Sequence, residues 1–131
     1  MKNFVDILAK AECFEPMDPA TEEQITAAER ALGLTFAVEF RDYLLAYGCA
    51  SCFGYEFTGI CAFPRLNVVD ATLRMRAEGV QEFPAGWYVV EETGMDGVVV
   101  CQTATGEVFA TGPGYKQTYL CASLGDYLLQ G

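Results

Sequence analysis

The sequence predicts an α+β domain with helices at the amino end, a central antiparallel meander, one middle helix and one helix closing the chain. Three observations carry this. Two amphipathic runs, each stopped by a glycine, lie between residues 20 and 48; short β-branched and aromatic runs separated by glycine turns follow residue 86; and a serine-led cap stands at residue 123. Helices grouped ahead of strands, rather than alternating with them, favour an antiparallel sheet over a parallel one. With 131 residues and 52% apolar side chains, the chain fits one domain that buries its own core. The expected domain spans 1–131, with residues 1–15 as an N-terminal extension.

Phe4, Ile7, Leu8 and Ala11 recur at helical spacing and predict a short first helix between Asn3 and Glu12. Pro16 and Pro19 mark residues 13–20 as a linker. Thr21 is placed to cap the next helix, with Gln24 three residues on completing a capping box and Glu22 and Glu23 in the favourable first turn. Ile25, Ala28 and Leu32 form its inner stripe, and Gly33 supplies a left-handed stop. Phe36, Phe40, Tyr43, Leu44 and Tyr47 mark a further helix ended by Gly48. The alternation in Phe53–Gly59 predicts a strand, and Asn67 opens a middle helix that runs to about Glu78 before Gly79.

The last third reads as strands at Trp87–Glu91, Val98–Gln102 and Glu107–Thr111, the second nearly all apolar and therefore central. Gly94-Met95-Asp96-Gly97 and Ala104-Thr105-Gly106 are the turns between them, and Gly112-Pro113-Gly114 breaks the pattern. Ser123-Leu124-Gly125-Asp126 opens the final helix.

Composition excludes several classes of function. There are 18 acidic and 8 basic residues, a net charge of −10, and no histidine. Eight scattered cations make no phosphate-binding stripe and give no attraction to an anionic bilayer, so neither nucleic acid nor membrane is expected as a partner. Without histidine there is no Ser-His or Cys-His nucleophile and no HExxH zinc site. Six cysteines with no signal-like leader read as thiols of a cytoplasmic protein. Cys49-Ala50-Ser51-Cys52 is a lone C-x-x-C after a helix, short of the four soft ligands a structural zinc needs, so it reads as buried or loop thiols. No cofactor, metal or catalytic residue is expected; paired carboxylates among 18 acids are no sign of a glycosidase.

The order of these pieces resembles one family. Ala20-Thr21-Glu22-Glu23-Gln24-Ile25, then Glu29-x-x-Leu32-Gly33-Leu34, then Phe36–Leu44 are similar to the opening of SMI1/KNR4 (SUKH) domains, and Gly94–Gly97 and Ser123–Leu128 to their hairpin turn and closing helix. Ala37 stands where the family usually has proline, and Tyr47-Gly48 where Asn-Gly is common. The resemblance implies a non-enzymatic binding domain, since the family has no shared catalytic motif. Many bacterial members look like immunity proteins that neutralise toxins, often nucleases, whereas fungal relatives act in cell-wall regulation.

Charge supports a basic protein partner independently of the resemblance. A nuclease must be basic to hold phosphate, and an acidic inhibitor steers onto such a surface. The acids concentrate at the two ends, nine against four bases in residues 1–42 and six against one in residues 79–131. The candidate contacts combine aromatic anchors with charge: Trp87, Tyr88, Glu91, Glu92 and Asp96 at one strand end, and Tyr55 with Glu56 on the first strand. The alternative is a regulatory or adaptor module with no toxin partner.

Overall fold

The computed structural model describes residues 3–78 and 83–130. Asn3 accepts the Asp6 N–H at 2.9 Å to start α1, Phe4–Ala9. Thr21 and Gln24 close a reciprocal capping box around the start of α2, Glu22–Leu32, which ends on Gly33 at φ 68°. Helix α3, Val38–Tyr47, follows and ends at Gly48. That glycine is required twice over: its φ is +71°, and a Cβ there would lie 1.9 Å from the Asp18 carbonyl oxygen. After two short strands, Asn67 caps α4, Val68–Ala77, through the Val69 and Asp70 N–H groups. Ser123 caps α5, Leu124–Gln130, through Asp126 N–H at 3.0 Å. The expected stop at Gly79 lies outside the described residues.

The expected single sheet is two. A small antiparallel sheet joins β1 (Glu15–Pro16), β2 (Ala50–Cys52) and β3 (Tyr55–Glu56), so part of the expected linker and the C-x-x-C segment are strands. The larger sheet runs β4 (Tyr88–Glu92), β5 (Val99–Gln102), β6 (Val108–Gly112) and β7 (Tyr115–Cys121) as an antiparallel meander. Strand β5 is central and fully buried, as its composition predicts. Strand β7 has no counterpart in the sequence reading. Its first five residues are exposed, so burial imposes no alternation on them.

The two sheets meet through an isolated pairing of Phe57 with Glu91 and a 2.8 Å bond from Thr58 N–H to the Val90 carbonyl. Here β4 slips register between Val89 and Glu91. The bulge frees backbone groups that side chains then serve: Thr72 Oγ1 accepts the Val89 N–H at 2.9 Å, and the Thr58 hydroxyl donates to the Val89 carbonyl at 2.8 Å.

Both faces of the larger sheet are covered. Tyr88, Val90, Val100 and Val108 join the main core with Phe4, Phe36, Phe40, Tyr43 and Leu44. Val89, Val99 and Cys101 face Ala71 and Met75 of α4 on the other side. Through the main core runs a chain of polar bonds. The Tyr88 hydroxyl accepts the Ala37 N–H at 2.9 Å and donates to Gln102 Oε1 at 2.9 Å, and Gln102 Nε2 donates to Glu39 Oε1 at 2.7 Å. Tyr88→Phe keeps the ring but orphans a buried N–H and a buried amide oxygen, so urea unfolding should show a loss of ~1–3 kcal/mol. A change below about 0.5 kcal/mol, the scale of a neutral surface substitution, would contradict this account of the core.

Candidate functional site

An apolar groove of about 380 Å³ opens between α1, the β2–β3 hairpin and α5. That volume is within the range of about 300–1,000 Å³ that suits one or two inserted side chains or a small ligand. Its walls are Ile7, Ala11, Phe53, Tyr55, Leu128 and Leu129, and Asp6, Lys10 and Glu12 stand along it on the α1 side. Phe53 occupies the tip of the hairpin. The Phe53 N–H is held by the Glu12 carbonyl at 2.7 Å, and Gly54 at φ +86° makes the turn tight. The ring itself is 70% exposed, and Leu129 is 60% exposed. Two large apolar side chains are thus open to water beside one concavity, which makes the groove the candidate contact surface.

Beside the groove lies a polar cluster around the buried Glu91. Tyr55 stacks on Phe57 with parallel rings 5.6 Å apart, and Tyr127 packs edge-on against Tyr55 at 5.7 Å. The Tyr127 hydroxyl donates to Glu91 Oε1. Glu91 is only 6% exposed. Burial pushes its carboxyl above the ordinary value, although the Tyr127 hydroxyl and the Glu56 backbone N–H pull it back in part. Burial likewise raises Tyr127 and Tyr55, with the Glu91 charge adding to both.

The seven candidate contacts do not form one site. Tyr55, Glu56 and Glu91 come together at the junction of β3, β4 and α5. Glu56 is exposed and pairs with Arg65 through two bonds of 3.0 and 3.2 Å. Tyr88 and Glu91, expected at a surface, are inside. Tyr88 is 0% exposed and belongs to the main core. Glu91 is turned inward by the β4 bulge, because the slip sets it opposite Val100, on the main-core face, where strict alternation would have put it with Val89. Trp87 is half-buried on the α4 side of the sheet, stacked on Phe109 at 4.5 Å. Glu92, on that same side, pairs with Arg74 of α4 at 3.0 Å. Asp96 is exposed in the β4–β5 turn at φ 55°.

The groove was not legible in the sequence, since its walls come from three segments spread between residues 6 and 129. Of its walls, Tyr55 alone was among the expected contacts, and the alternation around Phe53 predicted a strand rather than an exposed hairpin tip.

The cysteines of the C-x-x-C are both buried. The Cys49 thiol donates to the Phe57 carbonyl at 3.2 Å, and burial, with Cys61 beside it, pushes it up to about 12. Burial raises Cys52, Cys101 and Cys121 as well, the opposite of what an activated thiolate needs. Among the described residues, no group of three or more Cys, Asp or Glu side chains is arranged to hold a metal ion, and no helix is long and apolar enough to cross a membrane.

The raised carboxyl of Glu91 has a consequence for stability. A carboxyl raised in the folded state favours folding while protonated, so its contribution is full below the ordinary value of 4.5 and is lost as pH rises through the folded value. Glu91→Gln removes that titration. Its stability relative to the parent protein should therefore grow between pH 4 and pH 7, measured by thermal or urea unfolding at each pH. A difference that is flat or shrinks with pH would contradict the burial assigned to Glu91.

A family model described as SMI1-KNR4 cell-wall (SUKH_5) matches residues 1–130. No curated protein matches the sequence.

Proposed function

The chain belongs to the SMI1/KNR4 family, and from that premise we propose that it is a non-enzymatic protein-binding domain acting in the cytoplasm as an immunity protein, neutralising a bacterial toxin by covering its basic surface. The observation that supports this reading most is the groove. Phe53 and Leu129 offer apolar contacts, Tyr55 forms a rigid aromatic wall, and Asp6 and Glu12 give the α1 side an acidic character that Lys10 only partly offsets. Exposed Glu56 stands on the strand beside Tyr55. A central apolar anchor bordered by charge is the anatomy of an energetic hot spot, and a net charge of −10 steers a cationic partner toward it.

In this reading the two kinds of residue have different jobs. The acids speed encounter and make it salt-sensitive, because charges in water are screened over about 8–10 Å at physiological ionic strength. The apolar walls hold the complex once formed, by removing Phe53 and Leu129 from water. Nothing in the mechanism requires a titrating base or an activated nucleophile. Inhibition is by occupation, one domain for one toxin.

The test uses purified toxin domains with basic surfaces, starting with any found in the neighbouring genes. Phe53→Ala should weaken binding by roughly tenfold or more, the effect of losing a hot-spot side chain, and leave the salt dependence of affinity unchanged. Asp6→Lys with Glu12→Lys should instead lower the association rate and flatten the salt dependence. Inhibition should titrate one to one. Affinity and salt slope unmoved by either variant would remove the groove from the reading, and loss of toxin activity at substoichiometric amounts would replace binding with catalysis.

A further inference from the structure

We propose that Cys49 and Cys61 are a peroxide-responsive pair of thiols, in which Cys61 reacts first and Cys49 resolves it into a reversible disulfide. The proposal goes beyond the protein-binding reading and does not depend on the groove.

The C-x-x-C spacing offers Cys52 as the partner of Cys49, but the fold gives the two thiols different surroundings. Cys52 lines the groove with Tyr55 and Leu128, whereas the Cys49 thiol is turned to the Phe57 and Leu66 carbonyls at 3.2 and 3.9 Å. What lies against Cys49 is the loop that follows Phe57. Ile60 N–H bonds the Gly48 carbonyl at 2.8 Å, and Gly59 crosses so closely that a Cβ there would stand 2.8 Å from the Cys49 Cα. Cys61 follows at once, with its thiol within hydrogen-bonding reach of the Cys49 thiol. Three further bonds brace this loop. Gly59 N–H reaches the Leu66 carbonyl and Val68 N–H the Gly59 carbonyl, each at 2.8 Å, and Asn67 Nδ2 reaches the Cys61 carbonyl at 3.0 Å. A disulfide tolerates little misplacement of its two ends, so a pair already side by side and braced is the one suited to form it.

The two thiols differ as the chemistry requires. Cys61 is half-buried, with its thiol held only by a long contact of 3.6 Å to the Phe63 carbonyl, so a small oxidant reaches it. Cys49 is 1% exposed. Reaction therefore starts at Cys61. Its sulfur, having given up its proton, takes one oxygen of hydrogen peroxide; the O–O bond breaks, and the released hydroxide takes up that proton and leaves as water. The product is a sulfenic acid on Cys61. The Cys49 sulfur then bonds to the Cys61 sulfur, the S–O bond breaks, and the departing hydroxide carries off the Cys49 proton as a second water. This step suits a thiol that burial holds up at about 12, because its proton passes to the leaving group rather than to solvent. Two thiols and one peroxide become one disulfide and two waters, and an added thiol reductant reverses the bond.

Mass spectrometry of the full chain decides this, after treatment with hydrogen peroxide, alkylation and digestion without reduction. The parent protein should yield a peptide pair linked through Cys49 and Cys61, with both thiols restored by dithiothreitol. Cys61→Ser, in a half-buried loop, should keep the parent's circular dichroism and leave the Cys49 thiol free to be alkylated after unfolding. Cys49→Ser should leave the Cys61 sulfenic acid unresolved, so that a dimedone probe captures it and excess peroxide drives it to sulfinic acid. The parent and Cys61→Ser carry the test by themselves if Cys49→Ser does not fold. A parent protein whose Cys49 and Cys61 both stay alkylatable, whose Cys61 passes to sulfinic acid without linking, or whose Cys49 bonds to Cys52 instead would overturn the proposal.

Discussion

The Glu39 carboxylate accepts three bonds from parts of the chain that are far apart in sequence. Leu124 N–H and Gly125 N–H reach it at 2.7 and 3.2 Å from the start of α5, and Gln102 Nε2 reaches it at 2.7 Å from the central strand β5. Glu39 itself sits in the first turn of α3. One half-buried anion therefore fixes a helix start, a strand end and a second helix start against each other. Negative charge is favoured at both helix starts by the exposed N–H groups there, and a charge-assisted bond in a partly dry site is worth more than a neutral one. Through Gln102 the arrangement continues to the Tyr88 hydroxyl and the Ala37 N–H, so the amino end of α3 is pinned to the sheet from two sides.

This constraint is what gives the groove its walls. Leu128 and Leu129 on α5 face Ile7 and Ala11 of the α1 segment only because α5 is held at its first turn, and Gly125 leaves room there for Ile7, whose Cδ1 would lie 3.1 Å from a Cβ at that position. Tyr127, from the same helix, closes over Glu91 and Tyr55. The same polar network leaves no place for proline at Ala37. Ala37 has φ −61°, which proline would adopt, but its N–H is bonded to Tyr88, and proline has none to give.

Local chemistry made the helices readable. The capping box of Thr21 and Gln24, the left-handed Gly33, and the caps at Asn67 and Ser123 are determined within a few residues, so the sequence carries them in full. The long-range features were not readable for an equally physical reason. Glu39 bonds residues 63 to 86 positions away, and no spacing rule reports that. The β4 bulge set Glu91 on the main-core face instead of the α4 face, because one slipped residue moves a side chain to the other side of the sheet. Strand β7 was invisible because its exposed residues have no burial pattern to reveal them. Of the candidate contacts, Tyr55 lines the groove with exposed Glu56 next to it in β3, whereas Tyr88 lies in the main core and Glu91 is buried against Tyr127.

The measurement that tests the central role of Glu39 most directly is amide hydrogen exchange on Glu39→Ala beside the parent protein. If Glu39 holds α5 and the end of β5 in place, protection should fall across residues 124–130 and 99–106 while α2, which does not touch it, keeps its protection. Equal protection of α5 in the two proteins would contradict the account, because the helix would then be held without the anion.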